Sequence, residues 1–253
     1  MFCVKKLLLL PTLNEKDAIK PISEELPNWF DDVLVVDGGS TDGTVEEAKK
    51  AGFKVMQQRY GKGKGYGVRT AMEEFLKTDN DILVMVDTDG TCVLEDTKDM
   101  IELIENGEAD VVIGTRILSK KREKGSMPLI VWIGNFLASL LMSIPHFRLY
   151  SDVQSPYWAF NRKAVETLLP KLKASKFEIE TEIFVKALKS GLKVREVPVG
   201  YRKRIGHTKF SIMLRIRNFL YIVWFTIYGF RWWFWAILLI LVGGWWAYKN
   251  GYW

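Results

Sequence analysis

The sequence is poor in soft metal ligands. Its 253 residues include two cysteines, Cys3 and Cys92, and two histidines, His146 and His207. Two cysteines so far apart exclude a disulfide scaffold and a cysteine-based zinc cluster, and they fit a reducing compartment. Two histidines exclude a multi-histidine metal site. Any bound metal must rely on oxygen ligands, which points to a hard ion, Mg or Mn. The chain also lacks an internal repeat and a low-complexity segment. Lys5-Lys6 is followed only by Leu7-Leu8-Leu9-Leu10 before Pro11, too short an apolar run for a signal peptide. The N-terminal part is therefore expected to stay on the cytoplasmic side. With 48% hydrophobic residues, disorder is excluded as the main state.

Acid is in deficit. Thirty acidic residues face 36 basic ones, and the net charge of +6 suggests an anionic partner. Nucleic acid, phospholipid and a phosphate-bearing substrate all carry that charge. Nucleic acid fits worst, because the basic residues flank apolar helices instead of alternating with exposed aromatics.

The first part of the chain alternates strands and helices. Buried strands are expected over 6–10, 32–37, 81–87 and 110–115, with a weaker one over 54–57. Such β-branched apolar runs are typical of parallel strands covered on both faces. Helical patterns lie between them over 44–51, 66–76 and 95–105, with Thr44 as N-cap and Glu47 completing a capping box. The result is an open α/β sheet, in which ligands gather at the C-terminal strand ends. Those ends carry Pro11-Thr12-Leu13-Asn14-Glu15, Asp37-Gly38-Gly39-Ser40 and Asp87-Thr88-Asp89-Gly90.

The character changes after Arg116. Residues 119–124 are basic, and 129–144 are almost wholly apolar apart from Asn135. That stretch is short for a bilayer crossing, which takes about 20 apolar residues. A helix in the membrane interface and a buried core helix both fit it. Residues 151–160 return to polar and aromatic types, and 177–190 look helical. A basic cluster over 195–217 precedes the apolar stretches 219–229 and 232–248. The last has Trp at both ends and is the expected membrane span, with the basic cluster facing the cytoplasm. The segment 212–229 reads as a second span or a juxtamembrane helix. Lys120, Lys121, Lys124, Arg215 and Arg217 are suited to anionic lipid headgroups.

Asp87-Thr88-Asp89 is the sharpest chemical signal. Two carboxylates end a buried strand, where paired negative charge is costly without a cation. A divalent metal would remove the repulsion and bridge to a diphosphate. An ordinary strand-to-turn exit has the same composition. Asp37 and the glycines after it could approach a base or ribose, or simply form a turn. Gly61-Lys62-Gly63-Lys64-Gly65 is similar to a phosphate cradle without the Walker spacing, or is a solvated basic loop.

Read in order, these four segments resemble an inverting family 2 glycosyltransferase with a GT-A fold, over roughly residues 5–210. That fold is Rossmann-like, a mostly parallel open sheet with helices on both faces. Downstream, Gly114-Thr115-Arg116, Ser151-Asp152-Val153-Gln154-Ser155, Tyr201-Arg202-Lys203-Arg204 and Gly206-His207-Thr208-Lys209-Phe210 resemble segments of the polyprenyl-phosphate (dolichyl-phosphate) hexosyltransferases. The resemblance implies a transferase domain over 1–210, with an interfacial helix over 128–146. It also implies a juxtamembrane helix and C-terminal membrane anchor over 211–253. Pro11, Thr12, Asn14, Glu15, Asp37, Gly39, Lys64, Asp87 and Lys209 would bind the nucleotide sugar. Asp87 and Asp89 would hold Mg or Mn. Arg116, Arg122 and Arg202 would hold the acceptor phosphate, with Asp89, Arg116, Arg202 and Asp152 as the catalytic set. Should a base be needed, Asp152 or one of Glu178, Glu180 and Glu182 is available, although Glu178 and Glu182 also read as a solvated face. Thr91 stands where dolichyl-phosphate mannose synthases often have Gln. Lys62-Gly63-Lys64-Gly65, Val68-Arg69 and Asp87-x-Asp89-Gly90 look closer to dolichyl-phosphate glucose synthases.

The implied reaction moves a hexose from a nucleotide sugar, a UDP-hexose before GDP-mannose, to a polyprenyl phosphate at a cell membrane or endomembrane. A different lipid or glycan acceptor, and a non-catalytic membrane scaffold, are the competing functions.

Overall fold

The computed structural model describes residues 4–119, 121–206, 212–229 and 232–249. Seven strands form one sheet: β1 (Lys6–Thr12), β2 (Asp32–Asp37), β3 (Lys54–Gln57), β4 (Ile82–Met85), β5 (Val111–Thr115), β6 (Trp158–Asn161) and β7 (Val194–Pro198). Their order is β3-β2-β1-β4-β6-β5-β7. All neighbours are parallel except β6, which runs antiparallel to both β4 and β5. Among the described residues nine α-helices accompany them: α1 (Lys16–Glu24), α2 (Thr44–Lys50), α3 (Lys64–Phe75), α4 (Thr97–Glu105), α5 (Leu129–Ser143), α6 (Arg162–Leu168), α7 (Ile179–Lys189), α8 (Ile212–Gly229) and α9 (Trp232–Lys249).

The unbroken leucines of β1 have a physical reason. Successive side chains of a strand face opposite sides of the sheet. Leu7 and Leu9 enter one core with Val68, Met72 and Phe75 of α3 and Ile183 and Phe184 of α7. Leu8 and Leu10 enter the other, with Ala18 and Ile19 of α1 and Met100 and Ile101 of α4. A strand covered on both faces has no polar side to show.

Several expectations change in detail. The strand expected over 81–87 ends at Met85, so Asp87 and Asp89 sit in the turn beyond it. Thr44 is not the N-cap of α2. Gly43 holds that position in the left-handed region, and Asp42 accepts the Thr44 amide at 3.0 Å. Helix α1 escapes a pattern reading because it is short and carries Pro21 inside. Strand β6 hides in four residues of a segment read as polar and aromatic.

The C-terminal helices differ from ordinary surface helices. Helix α5 turns Ser139, Met142 and Ser143 toward the protein, while Leu129 and Ile130 are 72% and 76% exposed. Ser139 Oγ accepts the amide of Val153, and Ser143 Oγ accepts that of Tyr150, both at 2.9 Å. Helix α8, expected to lie outside the transferase domain, packs on α5 and α7. Its Ile222 and Phe225 join the α3–α7 core, while Phe219, Leu220 and Trp224 stay exposed. In α9, Leu239 to Val242, Trp245 and Trp246 are all exposed. Among the described residues, one helix is long and apolar enough to cross a membrane by length and composition, Leu129–His146, with 22% of it buried.

The glycines of the 61–65 loop serve packing. A Cβ at Gly63 would stand 2.3 Å from the Ser175 carbonyl oxygen, and one at Gly65 2.4 Å from that of Ala174. The start of α3 therefore lies directly against the chain leading into α7. Gly65→Ala should cost about 2 kcal/mol by overpacking. Gly134→Ala, in α5 with nothing within 4 Å of the new methyl, should gain up to about 1 kcal/mol. Denaturant midpoints of the detergent-solubilised chain check both; equal effects would remove the packing explanation.

Candidate active site

The loops after β1, β2 and β4 are stitched together at the C-terminal edge of the sheet. Thr12 and Thr88 share a hydroxyl hydrogen bond of 2.8 Å, and Thr88 also donates to the Pro11 carbonyl at 3.1 Å. Asn14 adopts φ 50°, a left-handed conformation that Asn tolerates well. Its Oδ1 accepts the Thr41 amide at 2.7 Å, and its own amide donates to Ser40 Oγ at 2.8 Å.

Asp37 has a different place from the one expected. It is fully buried, and its oxygens accept the amides of Gly39 and Ser40 and the Nε2 of Gln57 at 2.6–3.1 Å. Its carboxylate supports the Gly38-Gly39-Ser40 turn from beneath. Gly39, with φ 98°, takes the turn that this bond requires.

Charge concentrates around Asp87 and Asp89. Lys64 Nζ lies 2.5 Å from Asp87 Oδ1 and 2.5 Å from Glu180 Oε1. Glu180 is buried and Lys64 nearly so, with side chains 6% and 10% exposed. Burial alone would push the Lys64 ammonium down, but Asp87 and Glu180 more than offset it and hold the pKa above the usual lysine range. Burial pushes the Glu180 carboxyl up, and Lys64 opposes that. Asp89 Oδ1 accepts the amide and hydroxyl of Thr91 at 3.0 and 2.6 Å. Its Oδ2 takes Arg204 at 2.6 Å, and Arg204 also pairs with Glu15.

The chain from Gly200 to Ile205 straps this cluster. The amides of Arg202 and Ile205 donate to the carbonyls of Thr91 and Asp89, both at 2.9 Å. Gly90, with φ 74°, lets Ile205 close over the turn; a Cβ there would stand 2.6 Å from Ile205 Cδ1. Arg204, which had no expected role, is the cation that meets both Asp89 and Glu15. Its signal lay in Tyr201-Arg202-Lys203-Arg204, where three neighbouring cations offered no way to choose.

Arg116 and Asp152, expected in separate roles, are paired. Arg116 Nε and a terminal nitrogen bind the two oxygens of Asp152 at 2.7 and 2.8 Å, and the Gln154 carbonyl accepts from Arg116 at 3.0 Å. Tyr201 lies beneath the guanidinium at 5.1 Å. Asp152 is fully buried. This pair is a poor match for a free phosphate clamp and a free base. Arg122 and Arg202 are closer to that task. Arg122 aligns with Tyr201 through a backbone bridge, and Arg202 is 43% exposed while pairing with Glu25.

Glu178 and Glu182 are not a solvated face. Glu178 is buried, accepts the amides of Ser175 and Lys176 at 3.2 and 3.1 Å, and pairs with Arg217 at 2.9 Å. Glu182 is also buried and accepts the amides of Lys173 and Ala174. Lys209, His207 and Lys120 lie outside the described residues, as does the side chain of Arg215.

The Arg116–Asp152 pair supplies a prediction. Removing one partner of a buried pair leaves an uncompensated charge. Asp152→Asn should destabilise the fold by about 3 kcal/mol, read from a urea transition. An unchanged midpoint with lost activity would instead make Asp152 a chemical participant alone.

Residues 8–169 match the profile of Glycosyl transferase family 2. Glycosyltransferase AglJ of Haloferax volcanii is 36% identical over 198 residues, which span 78% of this chain and 63% of that one. The chain thus spans less than two thirds of that relative's length. A UDP-N-acetylglucosamine–dolichyl-phosphate N-acetylglucosaminyltransferase of Methanococcus voltae is 30% identical, over 76% of this chain and 83% of its own. A dolichyl-phosphate hexose transferase of H. volcanii is 31% identical, over 80% and 85%. Among solved structures, glucosyl-3-phosphoglycerate synthase of Mycobacterium tuberculosis, in complex with Mn2+, UDP and glucosyl-3-phosphoglycerate, superposes with a TM-score of 0.65. The two are 20% identical, over 87% of this chain and 80% of that one. At that identity the likeness speaks for the fold, which is of the GT-A type expected. On the profile match and the curated relatives together, the chain belongs to the family 2 glycosyltransferases.

Proposed function

We propose that this glycosyltransferase moves a hexose from a UDP-sugar to the phosphate of a membrane polyprenyl phosphate, inverting the sugar's anomeric centre. The observation that carries the reading is the charge cluster at the end of β4. Four carboxylates, Glu15, Asp87, Asp89 and Glu180, meet two protein cations, Lys64 and Arg204. The excess of negative charge and the all-oxygen donor set fit a hard divalent ion. Asp87 and Asp89 would hold it. Among the described residues no three His, Cys, Asp or Glu side chains converge on one point, so oxygens from outside the protein would have to supply its remaining ligands. When bound, Mg or Mn neutralises charge building on the departing diphosphate.

The protein's own residues do the rest. The loops carrying Pro11, Thr12, Asn14 and Glu15 and the turn at Gly39 form the nucleotide side, with Asp37 bracing that turn from below. Lys64 sits where it can meet a diphosphate, and Lys209 is assigned to the same donor. The acceptor phosphate is already an anion near neutral pH. One of its oxygens bonds to C1 as the C1–oxygen bond to UDP breaks, and no proton need be removed. Catalysis is then positioning and electrostatic stabilisation. Arg122 and Arg202 would hold the acceptor phosphate, since guanidinium binds phosphate bidentately. Arg116 contributes by fixing the floor beneath them through Asp152 and Tyr201.

A UDP-sugar is favoured over GDP-mannose because the M. voltae relative is named for a UDP-sugar and the M. tuberculosis neighbour was solved with UDP. A lipid acceptor is favoured by the relatives named for dolichyl phosphate and by the exposed apolar faces of α5, α8 and α9. On this reading α5 and α8 lie in the membrane interface, α9 anchors the chain, and the sheet faces the cytoplasm. The domain limits become 1–229 for the transferase unit with α8 seated on it, and the remainder for the anchor. A scaffold without activity would have little use for a partly exposed cluster of four carboxylates at the strand ends.

The test uses the purified full chain in detergent with Mn2+ and a short polyprenyl phosphate. Labelled UDP-glucose, UDP-N-acetylglucosamine and GDP-mannose are offered separately, and label is counted in the organic phase. Label from a UDP-sugar is expected, falling at least about 100-fold in Asp89→Ala. Nucleotide release without lipid-borne label would move the acceptor to another class. Label from GDP-mannose alone would overturn the donor assignment. Arg202→Ala should raise the acceptor KM about tenfold or more, with little change in donor KM. Equal changes in both constants would remove Arg202 from the acceptor site.

A further inference from the structure

We propose that Glu180 is a positioning residue of the donor site, acting on the nucleotide diphosphate through Lys64. The inference rests on the nucleotide-sugar reading above. It starts from the spacing of three buried glutamates. Glu178 and Glu182 are four apart and share one helix face. Both hold the 173–176 chain by its amides, and each has its own cation, Arg217 or Lys186. Glu180 lies between them in sequence and turns the other way. Its Oε1 meets Lys64 Nζ at 2.5 Å, inside the cluster at the end of β4.

The arrangement gives Lys64 two anchors of different kinds. An ammonium has three N–H donors, and two of those of Lys64 meet Asp87 Oδ1 and Glu180 Oε1. Asp87 stands in the turn after β4, where the donor is expected. Glu180 stands in the first turn of α7, fixed to the scaffold. Lys64 is itself the first residue of α3. When the donor engages Asp87, the bond to Glu180 keeps the ammonium in place beside the diphosphate. A lysine on four flexible carbons would otherwise lose much of its attraction to the freedom it must give up. The glycines at 63 and 65 complete the device. They allow α3 and the chain before α7 to approach within backbone contact, which brings the two side chains into reach.

A double-mutant cycle tests this by binding, independently of sugar transfer. UDP affinity in the presence of Mn2+ is measured calorimetrically for the full chain, Glu180→Gln, Lys64→Met and the double variant. Each single change should weaken UDP about tenfold, and the double should be no weaker than Lys64→Met alone. Glu180→Asp keeps the charge on a shorter arm and should recover part of the loss. Thermal midpoints separate folding from binding. The double variant removes both charges of the pair and is expected to be at least as stable as Lys64→Met, which leaves Glu180 without its ammonium. Losses that multiply in the double variant, or unchanged UDP affinity in Glu180→Gln, would overturn the role of Glu180 and leave the proposed function standing. If the unmodified chain binds GDP in place of UDP, the same cycle is read with GDP. Binding of neither nucleotide would overturn the donor reading and this inference together.

Discussion

Negative charge must be compensated at the carboxyl end of β4, and much of the structure follows from that constraint. Two aspartates stand in the turn after a strand buried on both faces, and Asp89 is itself buried. Left alone they would repel one another in a medium that screens poorly. Lys64 answers Asp87 and Arg204 answers Asp89. Each cation is in turn held by a second carboxylate from a different element, Glu180 of α7 or Glu15 after β1. The placement of α3, of α7 and of the 200–205 strap all serve those four contacts. The glycines at 63, 65 and 90 are where backbone or side chain must pass too close for a Cβ.

Much of this was legible in the sequence where local chemistry decides the outcome. The leucine run of β1, the apolar β2 and β4, and the polar loops at their ends follow from burial and turn preference, and the structure has them. The Asp87-Thr88-Asp89 site was legible because two acids after a buried strand have few explanations. What escaped depends on contacts across long separations. Glu180 and Lys64 are far apart in sequence, and nothing in either segment announces the other. Asp37 looked like a ligand contact because it precedes glycines, yet those same glycines fold back onto its carboxylate. Arg116 and Asp152 each matched a functional motif, but no single-sequence pattern says that two motifs are one buried ion pair. β6 is four residues long and antiparallel, and it is defined by its partners more than by its own composition.

Helices α5 and α8 reverse the usual rule for surface helices. A water-facing helix buries its apolar stripe and exposes polar residues. Here α5 offers serines to the protein, where their hydroxyls accept loop amides, and turns leucine and isoleucine outward. Helix α8 buries Asn218 and Thr226 beside Ile222 and Phe225, while Phe219, Leu220 and Trp224 remain exposed. Contiguous exposed apolar surface of this kind marks an interaction site. On the proposed function that partner is a bilayer, which asks for no matched hydrogen bonds and whose anionic headgroups suit basic residues.

The loop 151–155 joins that surface to the chemistry. At one end Asp152 grips Arg116, which lies over Tyr201 at the base of the strap. At the other, the Val153 amide donates to Ser139 of α5, and Gln154 accepts from Asn218 of α8 at 2.5 Å. The same glutamine donates to Thr181 of α7, one residue beyond Glu180. Five residues thus touch the outward-facing helices, the helix that holds Lys64's anchor, and the floor beneath Arg122 and Arg202. An acceptor with an apolar tail and a phosphate head needs those regions in fixed relation, because its head must meet C1 while its tail stays in lipid. The buried hydrogen bonds of this loop fix that relation.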